Sequence, residues 1–214
     1  MNPELLSPVR GFDSVLGIFR LDYATHTYYL GDRVIPGATG ILKACGYIDD
    51  TWYTPESSVR GTHVHQAIQY LNEGKLDWSS LKRDDYVGWV MAYERLVADW
   101  NIKLQSFEHP LYHPELLYGV TPDLVCTVLD DIPAIIDIKT GPVRKWVALQ
   151  TAAQAMAVRA WGPAESYNDR RRRWGVTLNS DGTYNKPVEF KEHERDEAVF
   201  RTLNSAVQSR ELYT

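Results

Sequence analysis

The residues from 121 to 139 constrain this chain more than any others. They read Thr121-Pro122-Asp123-Leu124-Val125-Cys126-Thr127-Val128-Leu129, then Asp130-Asp131, then Ile132-Pro133-Ala134-Ile135-Ile136-Asp137-Ile138-Lys139. Two apolar runs rich in β-branched residues, joined by a short acidic pair, predict antiparallel strands meeting at a tight turn. In a hairpin centred near residues 130 and 131, Asp123 falls opposite Asp137 or Lys139, where facing Cβ atoms lie about 4.5–5.5 Å apart. Asp137 and Lys139 point to one face, because strand side chains alternate with period two. All three can converge on a volume the size of one hydrated cation.

An Asp-x-Lys at a strand end is ordinary by itself: Asp123 could be a turn residue after Pro122, and Lys139 could end a strand in solvent. Here Asp137 follows the buried-type run Ala134-Ile135-Ile136, where an isolated charge is costly. A second acid in register across the hairpin tips the reading towards a site. Two carboxylates and the backbone carbonyl of Ile138 suit one or two hard cations such as Mg²⁺ or Mn²⁺, which prefer oxygen ligands. Such a metal polarises a phosphodiester and lowers the pKa of a bound water, and a neighbouring lysine can orient that water and stabilise developing charge.

The rest of the sequence supplies a frame for this hairpin. Ile18–Tyr29 alternates and predicts an N-terminal hairpin turning near Ala24-Thr25. Pro36-Gly37 precedes a short helix over Ala38–Ala44. A longer helix follows Thr54-Pro55-Glu56, with Val64, Ala67, Ile68 and Leu71 at helical spacing and Gly74 at its end. Another helix is expected from Asp84 to Trp100, and strands over Ile102–His109, Val120–Leu129 and Ala134–Ile138. A helix from Arg144 to Trp161 carries the small face Leu149, Ala152, Ala153, Met156 and Ala160. Trp174–Leu178 and Tyr184–Phe190 form a further hairpin, and Glu194–Ser209 a closing helix. The fold class is α/β or α+β, with a mixed sheet flanked by helices.

With 214 residues, 44% of them hydrophobic and 24% charged, the chain is expected to form one domain over residues 1–214, with an N-terminal hairpin and helices before about residue 100 and the sheet core over 101–190. No apolar run is long enough to cross a bilayer, and Met1-Asn2-Pro3-Glu4 has no secretory pattern, so no membrane and a cytoplasmic location are expected. The two cysteines, Cys45 and Cys126, make no CxxC pair, which excludes a cysteine zinc site or iron–sulfur cluster. The net charge of −5 disfavours coating nucleic acid by bulk attraction, but metal-binding carboxylates contribute to that sum.

Pro122-Asp123, a gap, then Asp137-Ile138-Lys139 resembles the signature of the PD-(D/E)xK nuclease superfamily. Gly61-Thr62-His63-Val64-His65 is similar to the Gly-x-x-x-His element of its RecB-like, Cas4-like branch, which implies that His65 is a metal ligand and His63 is not. Gly61 would let the helix pack close to the sheet. Gln150 matches a glutamine of that branch; four residues later the branch has tyrosine where this chain has Gln154. Glu108 stands where relatives carry an acid that supports the site. The resemblance covers about Gly61 to Gln154. It implies the restriction-endonuclease-like fold, a cluster-free nuclease and hydrolysis of DNA, with Asp123, Asp137, Lys139 and Gln150 in catalytic roles.

For holding DNA, Arg170-Arg171-Arg172-Arg173 with Arg144 and Lys145 are the candidate phosphate contacts. A four-arginine run can equally be a solvated loop. Trp146, Trp161 and Trp174 lie near these basic stretches; core or boundary packing accounts for them as well as base stacking does. The expected activity is a DNA exonuclease acting at ends in recombination, repair or replication, with a protein of those processes as a further partner. A structure-specific or restriction-type endonuclease is the alternative with the same chemistry, and a DNA-binding protein with a decayed site is the alternative without it. No P-loop, G-x-S-x-G or H-E-x-x-H motif competes.

Overall fold

The computed structural model describes residues 17–49, 54–129, 131–162 and 170–213, so Asp130 of the expected turn lies outside the described residues. The N-terminal hairpin forms as β1 (Phe19–Asp22) and β2 (Thr27–Leu30), with β3 (Arg33–Ile35) added antiparallel to make a small sheet. Its turn is pinned by the Asp22 carboxylate, which accepts the Ala24 N–H at 2.9 Å. Helices α1 (Ala38–Ala44) and α2 (Pro55–Asn72) follow where expected. Thr54 caps α2 by accepting the Ser57 N–H, with proline at the first helical position. A short helix that the sequence did not mark, α3 (Trp78–Asp84), precedes α4 (Val87–Asp99), which forms where the helix from Asp84 to Trp100 was expected. Asp85 separates them with φ of 60°, a left-handed conformation that an aspartate tolerates and that ends a helix.

The central sheet is built from β4 (Lys103–Phe107), β7 (Leu124–Val128), β8 (Ile132–Lys139), β9 (Arg172–Thr177) and β10 (Val188–Glu189), while β5 (Leu111–Tyr112) and β6 (Gly119–Val120) pair apart from it. Its order is β10-β9-β8-β7-β4. Every pair is antiparallel except β8 with β9, which run parallel because α5 (Val147–Trp161) crosses between them. This is the expected mixed sheet, flanked by helices on both faces. Helix α6 (His193–Tyr213) completes the chain.

The sequence made one strand of residues 120 to 129; the structure makes two. Pro122 has no N–H to give a ladder, and the chain passes there from the β5–β6 pair into the central sheet. That break leaves Asp123 at the entrance of β7. In the β7–β8 ladder Leu124 faces Ile136 and Val128 faces Ile132, so continuing the register by one residue sets Asp123 opposite Asp137.

Alternation then sorts the two faces. Leu124, Cys126, Ala134, Ile136 and Ile138 pack beneath Val64 and Ile68 of α2 and Tyr93 and Leu96 of α4. Val125 and Ile135 pack against Leu149, Ala153 and Met156 of α5 and Phe200 of α6. Asp137 and Lys139, each an even number of residues from Ile135, therefore share its face of the sheet.

Candidate metal centre and its cleft

Four elements deliver the charged groups. His65 comes from α2, Glu108 follows β4, Asp123 precedes β7, and Asp137 and Lys139 end β8. Glu108 leaves the strand with φ of 46°, and its N–H is donated to the Asp123 carbonyl at 3.1 Å. One ligand atom from each of His65, Glu108 and Asp123 lies within 4.8 Å of the others, an arrangement able to hold a metal ion.

Hydrogen bonds tie the group together. His65 Nδ1 donates to Glu108 Oε1 at 2.6 Å and lies 3.8 Å from Asp123 Oδ1. His65 Nε2 donates to the Ile138 carbonyl at 3.2 Å. Both ring nitrogens thus face oxygens that can accept, an arrangement that favours the protonated ring. Burial opposes that charge, but the Asp123 carboxylate and the bond to Glu108 outweigh it and raise the His65 pKa to about 9. Asp123 Oδ2 accepts the Ile138 N–H at 2.6 Å. Burial pushes the Asp123 carboxyl up, and the nearby Glu108 adds to this against the pull of His65 and Lys139.

Asp137 is wholly buried, and Lys139 Nζ lies 2.6 Å from its Oδ2. Burial raises its pKa to about 6, with Lys139 acting in the opposite direction. Among the described residues Asp137 Oδ1 has no hydrogen-bond partner, an expensive state for a buried carboxylate oxygen. Three carboxylates, one carbonyl and one imidazole meeting here, one oxygen left without a donor, fit a divalent cation such as Mg²⁺ or Mn²⁺.

The structure redistributes some of the expected roles. Glu108, expected as support, belongs to the three-residue cluster itself. Asp137, expected as a ligand, stands beside that cluster and is held by Lys139. A Cβ on Gly61 would meet Thr140 Oγ1 at 3.8 Å, an ordinary contact, so close helix packing is not what calls for glycine there. Gln150 Nε2 approaches Thr39 Oγ1 at 3.5 Å, and the buried Oε1 atoms of Gln150 and Gln154 have no hydrogen-bond partner among the described residues. His63 turns the other way, with Nδ1 3.1 Å from the Tyr86 hydroxyl.

The arginine run is the clearest correction. Arg173 is fully buried, donating to Asp196 Oδ2 at 2.8 Å and to the Ala148 carbonyl at 2.7 Å, so it is a core ion pair and not a phosphate contact. Arg170 pairs with Glu194 at 2.5 Å and Arg172 with Glu189 at 3.5 Å; Arg171 Nη1 lies 3.5 Å from Gln105. In the parallel ladder Arg172 faces Ala134 while Thr177 faces Lys139. At about 3.3 Å per residue the run therefore lies roughly 16 Å from Lys139, at the far end of the sheet. The position of β9 explains it: the sheet is covered on both faces, so every residue from Arg173 to Thr177 is buried, whatever its charge. Trp174 is buried in the core, and Trp161 donates its indole N–H to the Tyr112 carbonyl at 2.5 Å.

The cluster opens into a cleft of about 1070 Å³. Arg144 and Trp146 line it, with the Trp146 ring centroid 5.6 Å from Lys139 Nζ, while Lys145 is exposed outside it. Arg60 of α2 and the β1–β2 turn also line it. No local signal marked these two, since they reach the site only through tertiary packing.

No protein-family model and no curated protein matches this chain. Among solved structures, LHK-Exo in complex with dAMP is similar over 82% of this chain and 87% of that chain, with 15% identity and a TM-score of 0.37. An alkaline exonuclease (LHK-Exo) from Laribacter hongkongensis is similar over 83% and 91%, with 15% identity and a TM-score of 0.31. A likeness of that size leaves the reading of the site to its own geometry.

Proposed function

We propose that this protein is a metal-dependent deoxyribonuclease that hydrolyses phosphodiester bonds at DNA ends. The observation that carries the reading is the His65–Glu108–Asp123 cluster beside the buried Asp137–Lys139 pair, at the floor of an open cleft. A bound Mg²⁺ or Mn²⁺ would supply the charge that polarises a phosphodiester and acidifies a water. His65, Glu108, Asp123 and the Ile138 carbonyl would hold it, with Asp137 offering its unpartnered oxygen.

Lys139 has the position to orient a water and to meet negative charge developing on the phosphate, since its ammonium lies at the mouth of the cluster, a quarter exposed and tethered to Asp137. Arg144 and Arg60 on the cleft walls are placed to meet flanking phosphates. The preference for ends rests on the RecB-like resemblance of residues 61 to 154. A role in recombination, repair or replication, alongside a protein of those processes, goes with it.

The test is purified protein with Mg²⁺ or Mn²⁺ on end-labelled linear DNA beside a closed circle. Degradation of the linear form with an intact circle supports the reading; cutting of the circle makes it an endonuclease. Asp123→Ala should abolish cleavage. Lys139→Ala should keep DNA affinity and lose rate by a factor on the order of 10²–10⁴. Full cleavage by Asp123→Ala would dismiss the site.

A further inference from the structure

The cleft has one wall that a phosphodiester centre does not need: the tip of the β1–β2 hairpin. Tyr23 and His26 at that tip line the cleft, as do Tyr47 after α1 and Trp146 before α5. Tyr23 is 73% exposed and Tyr47 is 46% exposed. Large aromatic faces left open to water are costly unless something covers them. Packing here turns them towards one space.

The hairpin is anchored against the strand that leads to the site. Tyr28, only 3% exposed, lies over Gly119, where a Cβ would stand 2.2 Å from its ring. Its hydroxyl shares a hydrogen bond of 2.8 Å with Thr121 Oγ1, two residues before Asp123. Arg60, its guanidinium 5.9 Å from the Trp89 ring centroid, lines the same space. The cleft therefore offers flat apolar faces and a cation around one channel that ends at Lys139.

That combination selects among forms of DNA. In a duplex the faces of the bases are covered by their neighbours and only their edges are open. An unpaired strand exposes base faces, and aromatic side chains stack on them without regard to sequence while cations follow the phosphates.

We infer that the cleft takes an unpaired DNA strand, with Tyr23 on the hairpin tip and Tyr47 after α1 stacking on bases next to the phosphate presented to Lys139. This rests on the nuclease reading and adds the substrate form. The preferred substrate is single-stranded DNA or a single-stranded overhang, and the hairpin is a fixed finger that holds it.

Binding in EDTA separates this from catalysis. Fluorescence anisotropy should show an oligothymidylate bound more tightly than a blunt duplex of equal length. Tyr23→Ala should weaken oligothymidylate binding about 5- to 100-fold, the effect of one lost base stack, with little change for the duplex. Tyr23→Phe should retain affinity, because the ring and not the hydroxyl does the stacking. Tyr47→Ala should act in the same direction. Equal affinity for the two DNA forms, or equal losses for both in Tyr23→Ala, would overturn the inference. Wild-type cleavage of any DNA with Mn²⁺, lost in Asp123→Ala, would leave the nuclease reading standing in that case. Selective oligothymidylate binding with no cleavage under any condition would instead retain the strand site and refute the nuclease.

Discussion

Replacing Asp137 with asparagine should stabilise the metal-free protein while ending its activity. The folded carboxyl titrates at about 6 against the ordinary 3.8, because burial penalises its charge more than Lys139 rewards it. A folded-state pKa above the unfolded one means that the folded protein holds the extra proton. That contribution is fully present below about pH 4 and is lost as pH rises through 6. At about 1.4 kcal/mol per tenfold, the ionised carboxylate costs about 3 kcal/mol at pH 8 and about 1 kcal/mol at pH 4.5. Asparagine has no charge to desolvate, so urea unfolding in EDTA should show Asp137→Asn more stable than wild type by about 3 kcal/mol at pH 8. The gap should narrow to about 1 kcal/mol at pH 4.5. Mg²⁺ should stabilise wild type in proportion to its binding and leave the variant nearly unmoved. A variant less stable than wild type at pH 8 in EDTA would refute the reasoning, since it would mean that the Lys139 pair more than offsets the burial of the carboxylate.

Arg173→Met should cost up to about 3–5 kcal/mol in urea unfolding, because it leaves the buried Asp196 carboxylate with only the exposed Arg195 as an ion-pair partner among the described residues; unchanged stability with weaker DNA binding would return Arg173 to the surface role its sequence suggests. His113 should weaken the fold in acid. Its Nδ1 accepts the Glu115 and Leu116 N–H groups at 3.3 and 3.2 Å, and burial with Arg201 and Arg159 nearby lowers its pKa to about 4. The unfolded chain therefore takes the proton first, and about 3 kcal/mol should be lost as pH falls from 6.5 to 4, levelling below; a His113→Asn variant losing as much over that range would remove the assignment. Metal binding near pH 7 should release a proton from His65, read as a buffer-dependent heat in calorimetry. His65→Ala should abolish that release and narrow any preference for Mn²⁺ over Mg²⁺, whereas equal effects from His63→Ala would take the helix out of the site.

The sequence by itself determined the parts of this protein that obey short periods. Period two carried the β7–β8 hairpin and the face shared by Asp137 and Lys139, because a slip of one residue would turn Asp137 out of its face and Ile136 into it; that Asp123 stands opposite Asp137 and not Lys139 was decided by the ladder. Helical spacing carried α2, with His65 beside the buried Val64 and Ile68, and the alanine-rich α5. Local chemistry broke the pattern where two conformations competed: Asp85 separates the unmarked helix α3 from α4, and Pro122 split a strand. Only the tertiary structure decided that Glu108 joins His65 and Asp123, since that meeting needs a helix, a strand end and a sheet switch brought together from distant segments. It also decided the fate of the arginines. Four like charges in a row read as one patch, but β9 lies inside a sheet covered on both faces, which took Arg173 into the core against Asp196 while Arg170, Arg171 and Arg172 before it stayed exposed or half-buried. Charge sets what a side chain prefers; the position of its strand in the sheet sets where it must go.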